Sequence, residues 1–176
     1  MGDTFMVVIV IGLTVVLMFV IPLMTMANRT DDVAQLTVSA ATSDFADNIR
    51  TTGKITPDDY NKYVQTLSST GNTYEVEFEV KVLDENPSKK AVQVTKDKIG
   101  ENYYYSVFDS QVKELIENDT KPETYYLKEG DMVSLKAKNI SPTFYQQLTN
   151  FLYTVVGNDT YTIAAQNTVV VTVNGK

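Results

Sequence analysis

The chain opens on an apolar stretch and then changes its hydrophobic pattern twice. Phe5–Ala27 reads FMVVIVIGLTVVLMFVIPLMTMA, 23 residues without a charge. As a helix it measures about 34 Å, enough to cross the hydrocarbon core of a bilayer. It has no polar face, so it cannot lie half in water. After Asn28, Arg29 and Thr30 the helical pattern resumes in another form. Ala34, Val38, Ala41, Phe45 and Ile49 recur every three or four positions, with Asp31, Asp32, Asp44 and Asp47 at remaining positions of the helix. Gly53 then supplies a left-handed stop. The spacing predicts one helix from about Thr4 to Thr51, apolar in its first half and amphipathic in its second. The stripe from Ala34 to Ile49 is expected to pack this stalk on the rest of the chain. Pro22 removes a backbone donor and crowds the carbonyl of residue 18, which predicts a kink or a local loosening.

Beyond residue 53 the elements are short. Thr56-Pro57-Asp58-Asp59 places a hydroxyl at the N-cap, proline at the first helical position and carboxylates over the positive helix end. It predicts a helix to about Ser68 that buries Tyr60, Val64 and Leu67. From Tyr74 to Val82 the alternation is unbroken: Tyr74, Val76, Phe78, Val80 and Val82 inward, Glu75, Glu77, Glu79 and Lys81 outward. Leu83–Ala91 reads as a polar loop and Val92–Lys96 as a short strand. A helix is expected over Val107–Glu117, with Phe108, Val112, Leu115 and Ile116 inward. Glu123–Leu127 and Met132–Lys138 flank a Lys128-Glu129-Gly130-Asp131 turn and read as a hairpin. Ser141-Pro142 opens a helix carrying Phe144, Leu148, Phe151 and Leu152, and Thr168–Val173 reads as a last strand. The fold class is therefore α+β: a long N-terminal helix over residues 1–53, and a small antiparallel-sheet head with short helices over 54–176.

Composition narrows the function. The chain carries 15 basic and 22 acidic residues, a net charge of −7, with only Arg29 and Arg50 as guanidinium groups. No basic stripe exists to neutralise phosphates, which argues against nucleic acid and against anionic lipid heads as partners. There is no cysteine and no histidine. Disulfides, thiolate metal sites and Ser-His or Cys-His hydrolases are thereby excluded, and the expectation is a protein that is not an enzyme. No Lys or Arg precedes the apolar run, and no small-residue cleavage site follows it. It is also longer than a signal-peptide core, so it reads as a retained segment.

The remaining candidates are modest. Asp3, the one charge before the apolar run, reads as a solvated interfacial residue or as a counter-charge for a neighbouring chain's amino terminus. The face Glu75, Glu77, Glu79 and Lys81 reads as a solvated strand face. Asp58-Asp59 and Glu129-Gly130-Asp131 serve capping and turn chemistry, and none shows calcium-loop spacing, so no metal or cofactor is expected. Tyr103, Tyr104, Tyr105, Tyr125 and Tyr126 suit either packing or a carbohydrate or partner surface. Asn28, Asn118, Asn139 and Asn158 each open an Asn-x-Ser/Thr triplet.

The plan of an apolar helix running unbroken into an amphipathic half, followed by an α+β head, resembles the type IV pilin-like proteins. Pro22 falls where such proteins carry a helix-kinking proline, and Gly12 lies where they often hold a small residue. Methionine is an accepted first residue of mature pilins. The stretch from Tyr126 to Leu135, with Asn139–Leu148 after it, is similar to larger pilin-like proteins of Tad-type loci in Gram-positive bacteria. The chain departs from the pattern at Phe5, where pilins usually carry glutamate; Asp3 is the nearest substitute. The resemblance implies a structural subunit of an extracellular filament, held in the membrane before assembly. Its partners would be copies of itself and a pilus assembly machinery. Phe5, Val8, Gly12, Val16, Phe19, Pro22 and Met26 would line the polymerisation helix. A minor, pseudopilin-like assembly component and a membrane-anchored adhesive domain are the alternatives. Physics points the same way: hiding roughly 60 Å² on each side chain of the run is worth on the order of 30 kcal/mol relative to water, so the helix is expected to remain in lipid or against other helices.

Overall fold

The computed structural model describes residues 2–83, 104–118, 121–141, 143–147, 150 and 162–176. A 51-residue helix α1 (Gly2–Thr52) is followed by β1 (Lys54–Ile55), α2 (Pro57–Ser68), β2 (Tyr74–Leu83) and β3 (Tyr104–Phe108). Then come α3 (Asp109–Ile116), β4 (Tyr125–Tyr126), β5 (Met132–Asn139) and β6 (Ala164–Val170). Two compact units result. One holds Met1–Leu36 with Pro142–Ile163, the other Thr37–Ser141 with Ala164–Lys176.

The second unit is an α+β arrangement built on a four-stranded antiparallel sheet in the order β3-β2-β5-β6. The alternation read in β2 is realised: Val76, Phe78 and Val80 are buried, while the glutamates and Lys81 face outward across Lys136, Ser134 and Met132 of β5. α1 packs its second half on this sheet. Phe45 stacks on Tyr63 of α2 at 4.6 Å and meets Phe78 edge-on at 6.4 Å, and Tyr60 lies 5.6 Å from Phe78. Val38, Ile49 and Ala46 are fully buried beside them in the same unit. Thr42, also buried, bonds the Val38 carbonyl and the Tyr63 hydroxyl. α2 starts as its sequence dictates, with the Thr56 hydroxyl accepting from the Asp59 N–H at 3.1 Å and donating to the Asp59 carboxylate at 2.6 Å.

Several expectations are corrected. The segment expected as a helix from Val107 enters as β3, whose Val107 and Phe108 pair with Val80 and Glu79; α3 begins only at Asp109. Phe108 is therefore 63 % exposed, and Leu115 also faces out, leaving Val112 and Ile116 as the buried face. The reason is the end of the strand ladder. β3 covers only Glu79–Leu83 of β2. Beyond it the Asp109 carboxylate accepts from the Phe78 N–H at 3.1 Å, and Lys113 donates to the Val76 carbonyl, so α3 side chains replace the missing strand. The hairpin around Lys128–Asp131 does not form either. β4 pairs with β1 through Lys54↔Tyr126 and Ile55↔Tyr125, while β5 pairs with β2 and β6. Asp131 is fully buried, and its carboxylate accepts from Leu83 N at 2.9 Å and Lys128 N at 2.8 Å, which turns the chain away from a simple hairpin. In α2 it is Tyr63 rather than Val64 that is fully buried, because Phe45 stacks on its ring. The last strand begins and ends earlier than its alternation indicated, at Ala164 and Val170. The strand read at Val92–Lys96 and most of the Leu83–Ala91 loop lie outside the described residues, as do Leu148, Phe151 and Leu152.

The helix start read at Ser141-Pro142 is displaced to Thr143. Thr143 Oγ1 accepts from the Gln146 N–H at 3.1 Å, and Gln146 Oε1 accepts from the Thr143 N–H at 3.0 Å, a reciprocal capping box ahead of helical residues 144–147. Ser141 is drawn off instead, accepting from Thr73 N at 2.9 Å. Phe144 of that short helix points outward.

Phe45→Ala is expected to cost about 3–5 kcal/mol, since it opens a cavity between two helices and the sheet. Denaturant unfolding of the full-length protein in detergent, followed by circular dichroism, measures the loss.

Candidate functional site: the exposed apolar helix and its surroundings

The amino-terminal part of α1 exposes its apolar side chains. From Phe5 to Met26 the exposed large hydrophobic side chains are 46–72 % accessible, and none of the most apolar 18-residue window of α1 is buried. α1 is long and apolar enough to cross a membrane. Phe5, Val8, Gly12, Val16, Phe19, Pro22 and Met26 all lie on this exposed part, and α1 continues through Pro22 as one helix. Asp3 is exposed in its first turn.

Two details fit an apolar environment. The hydroxyls of Thr14, Thr25 and Thr30 each bond the carbonyl four residues back, at 2.8, 3.0 and 3.1 Å, so none needs an outside partner. Gly12 sits mid-helix, where glycine costs about 1 kcal/mol relative to alanine. Among the described residues nothing requires it: a side chain there would meet no atom within 4 Å.

After Asn28, Arg29 and Thr30, the first polar side chain of α1 to be buried is Asp31. Read as an outward position, it is instead only 4 % exposed, and its carboxylate accepts from the Thr143 hydroxyl at 2.7 Å. Desolvation pushes its pKa above the ordinary 3.8; the Thr143 hydrogen bond opposes this and the Asp32 charge adds to it. Gln146, three residues after Thr143, is buried, with Oε1 used in the cap and Nε2 lacking a partner among the described residues. Ala34 is also buried, as are Val38, Phe45 and Ile49 farther along α1, with Ala41 half-buried. The Asp31 tie has no sequence signal of its own: Ser141-Pro142-Thr143 reads only as a helix start, and nothing local points from it to Asp31.

The other candidates disperse. Glu77 pairs with Lys136 at 2.7 Å and Glu79 with Lys81 at 3.6 Å, all on the solvent face of the sheet. The Lys136 hydrogen bond and charge hold the Glu77 carboxyl below its usual value. A cleft of about 500 Å³ lies over this face, lined by Glu75, Glu77, Glu79, Phe108, Asp109 and Lys136 among others. Among the described residues no group of three acidic side chains is placed to hold a metal. Tyr104, Tyr105 and Tyr126 are exposed while Tyr125 is half-buried, and Tyr103 lies outside the described residues. Burial raises the Tyr125 phenol above its usual value. Asn28 and Asn118 are exposed, Asn139 is 5 % exposed with Oδ1 committed to Ser141, and Asn158 is not described. A glycan on Asn139 is incompatible with this packing.

Because the folded Asp31 carboxyl binds its proton more tightly than the unfolded one, it favours the fold fully only below pH 3.8. That contribution is lost as pH rises through the raised folded value. Asp31→Asn keeps an acceptor for Thr143 and removes the charge, so it is expected to flatten this pH dependence in unfolding titrations of the full chain. Comparison with protein-family models, with curated proteins and with solved structures found no match.

Proposed function

We infer that the chain is a non-enzymatic structural subunit of a type IV pilus-like extracellular filament, which polymerises through α1 and waits in the membrane before assembly. The observation that carries this reading is the continuity of α1. One helix joins a stretch exposed and apolar all round to a stretch whose other face is locked into a sheet. The first stretch requires lipid or other helices around it, and the second fixes a folded head to whatever the first assembles into. Gly12 supports helix–helix contact over lipid alone, since small residues let helix backbones approach and none of the described residues packs against this one. The partners in this reading are further copies of the chain and a membrane assembly machinery. The acidic heads form the outer surface.

Electron microscopy of sheared cell-surface material with labelled antibody tests the proposal. The expected outcome is labelled fibres in which this chain greatly outnumbers any other component. Fibres containing it only sparsely would favour the minor-subunit alternative, and confinement to the membrane fraction would overturn the filament reading. Gly12→Leu is expected to reduce fibre yield about tenfold through loss of close helix packing worth about 1.4 kcal/mol per contact. The head of this variant should unfold at the same denaturant concentration as the parent.

A further inference from the structure

The segment after β6 crosses the end of α1. Thr172 donates from both its N–H and its hydroxyl to the Arg50 carbonyl, each at 3.0 Å, filling an acceptor that the helix end leaves without an internal donor. Gly53 ends α1 with φ +66°, its N–H on the Ile49 carbonyl at 2.9 Å. The Gly53 carbonyl accepts from Leu127 N at 2.8 Å, and the Leu127 carbonyl accepts from Gly175 N at 3.0 Å. Asn174 Oδ1 takes the Glu129 N–H at 2.9 Å, and Val171 exchanges bonds with Gly130 N and the Asp131 carbonyl. Gly53 and Gly175 pass so closely that a side chain on either would run into the backbone of the other. Val171, Leu127 and Ile55 are buried around the crossing.

We propose that Val171–Lys176 is a mechanical latch that carries tension from α1 into the sheet. The source of that tension rests on the filament reading; the latch itself does not. Helix carbonyls point along the axis toward the carboxyl end. A bond accepted by Arg50 therefore lies near the helix axis and is stretched along its length when α1 is pulled toward its amino end. The packing of Phe45 and Val38 resists such a pull only by sliding, and the side-chain bonds of Thr42 to Tyr63 and of Ser43 to Asn167 leave the flank of α1 rather than its end. The latch resists it by hydrogen bonds, and it passes the load to β4 through Leu127 and to β5 through Asp131.

Force spectroscopy on single detergent-solubilised full-length chains tests this. The absence of native cysteine lets handles be placed by Ala40→Cys with Glu75→Cys for pulling α1 against the sheet. Glu77→Cys with Gln166→Cys pulls across the sheet alone. Deleting residues 172–176 is expected to remove about half of the α1 rupture force and to leave the cross-sheet force unchanged. Thr172→Val, which keeps the chain length, gives a smaller drop with the same selectivity and keeps the test valid if the deletion does not fold. Unchanged α1 force, or an equal drop on both handle pairs, overturns the latch. Single chains are pulled, so this outcome is independent of whether fibres form.

Discussion

The placement of Phe45 between Tyr63 and Phe78 is the contact on which the rest of the molecule depends. It is where a helix that could otherwise float free in lipid becomes part of a folded protein. The aromatic cluster commits one face of α1 to the sheet and to α2 at once, and Thr42 adds a buried hydrogen bond to the same tyrosine. Each ring serves two elements, so the helix cannot rotate about its axis without losing contacts on both. Such shared packing fixes register more firmly than area alone, because interiors are close-packed and respond discontinuously to displacement.

Around that cluster the sheet is closed by unequal means. On one side β2 finds β5 over its whole useful length, and β5 finds β6. On the other, β3 stops short, and Asp109 and Lys113 complete the bonding from a helix. Charged side chains at a strand edge also discourage pairing with another chain. The same two residues pair with each other at 2.9 Å, so neither charge is left uncompensated.

The parts of this fold that were legible in the sequence are those with long, regular patterns. The two halves of α1, the capped start of α2 and the alternation of β2 each repeat a local rule many times. What was illegible is non-local or too short to carry a period. A two-residue strand such as β1 has no alternation to read, and its partner β4 lies some seventy residues away. Asp31 looks like any other polar position of an amphipathic helix until Thr143, 112 residues on, meets it. Asp131 sits in a sequence that spells a turn, yet its carboxylate serves Leu83 from a distant strand end. Phe108 has a helical neighbour on one side and a strand ladder on the other, and only the ladder's tertiary register decides between them. The polymerisation role proposed for α1 rests on the longest pattern of all, whereas the buried polar ties had almost no sequence signature.

The self-satisfied threonines of α1 bear on reversibility. Because Thr14, Thr25 and Thr30 spend their hydroxyls on their own helix, and no charge interrupts Phe5–Ala27, the exchange of lipid for neighbouring helices uncovers no polar group. The free energy of that exchange is then a small difference between two apolar environments, set by packing alone. In the filament proposed above, a subunit with this surface enters the assembly and returns to the bilayer without uncovering a side-chain polar group of the apolar run. Any directionality must come from outside the helix.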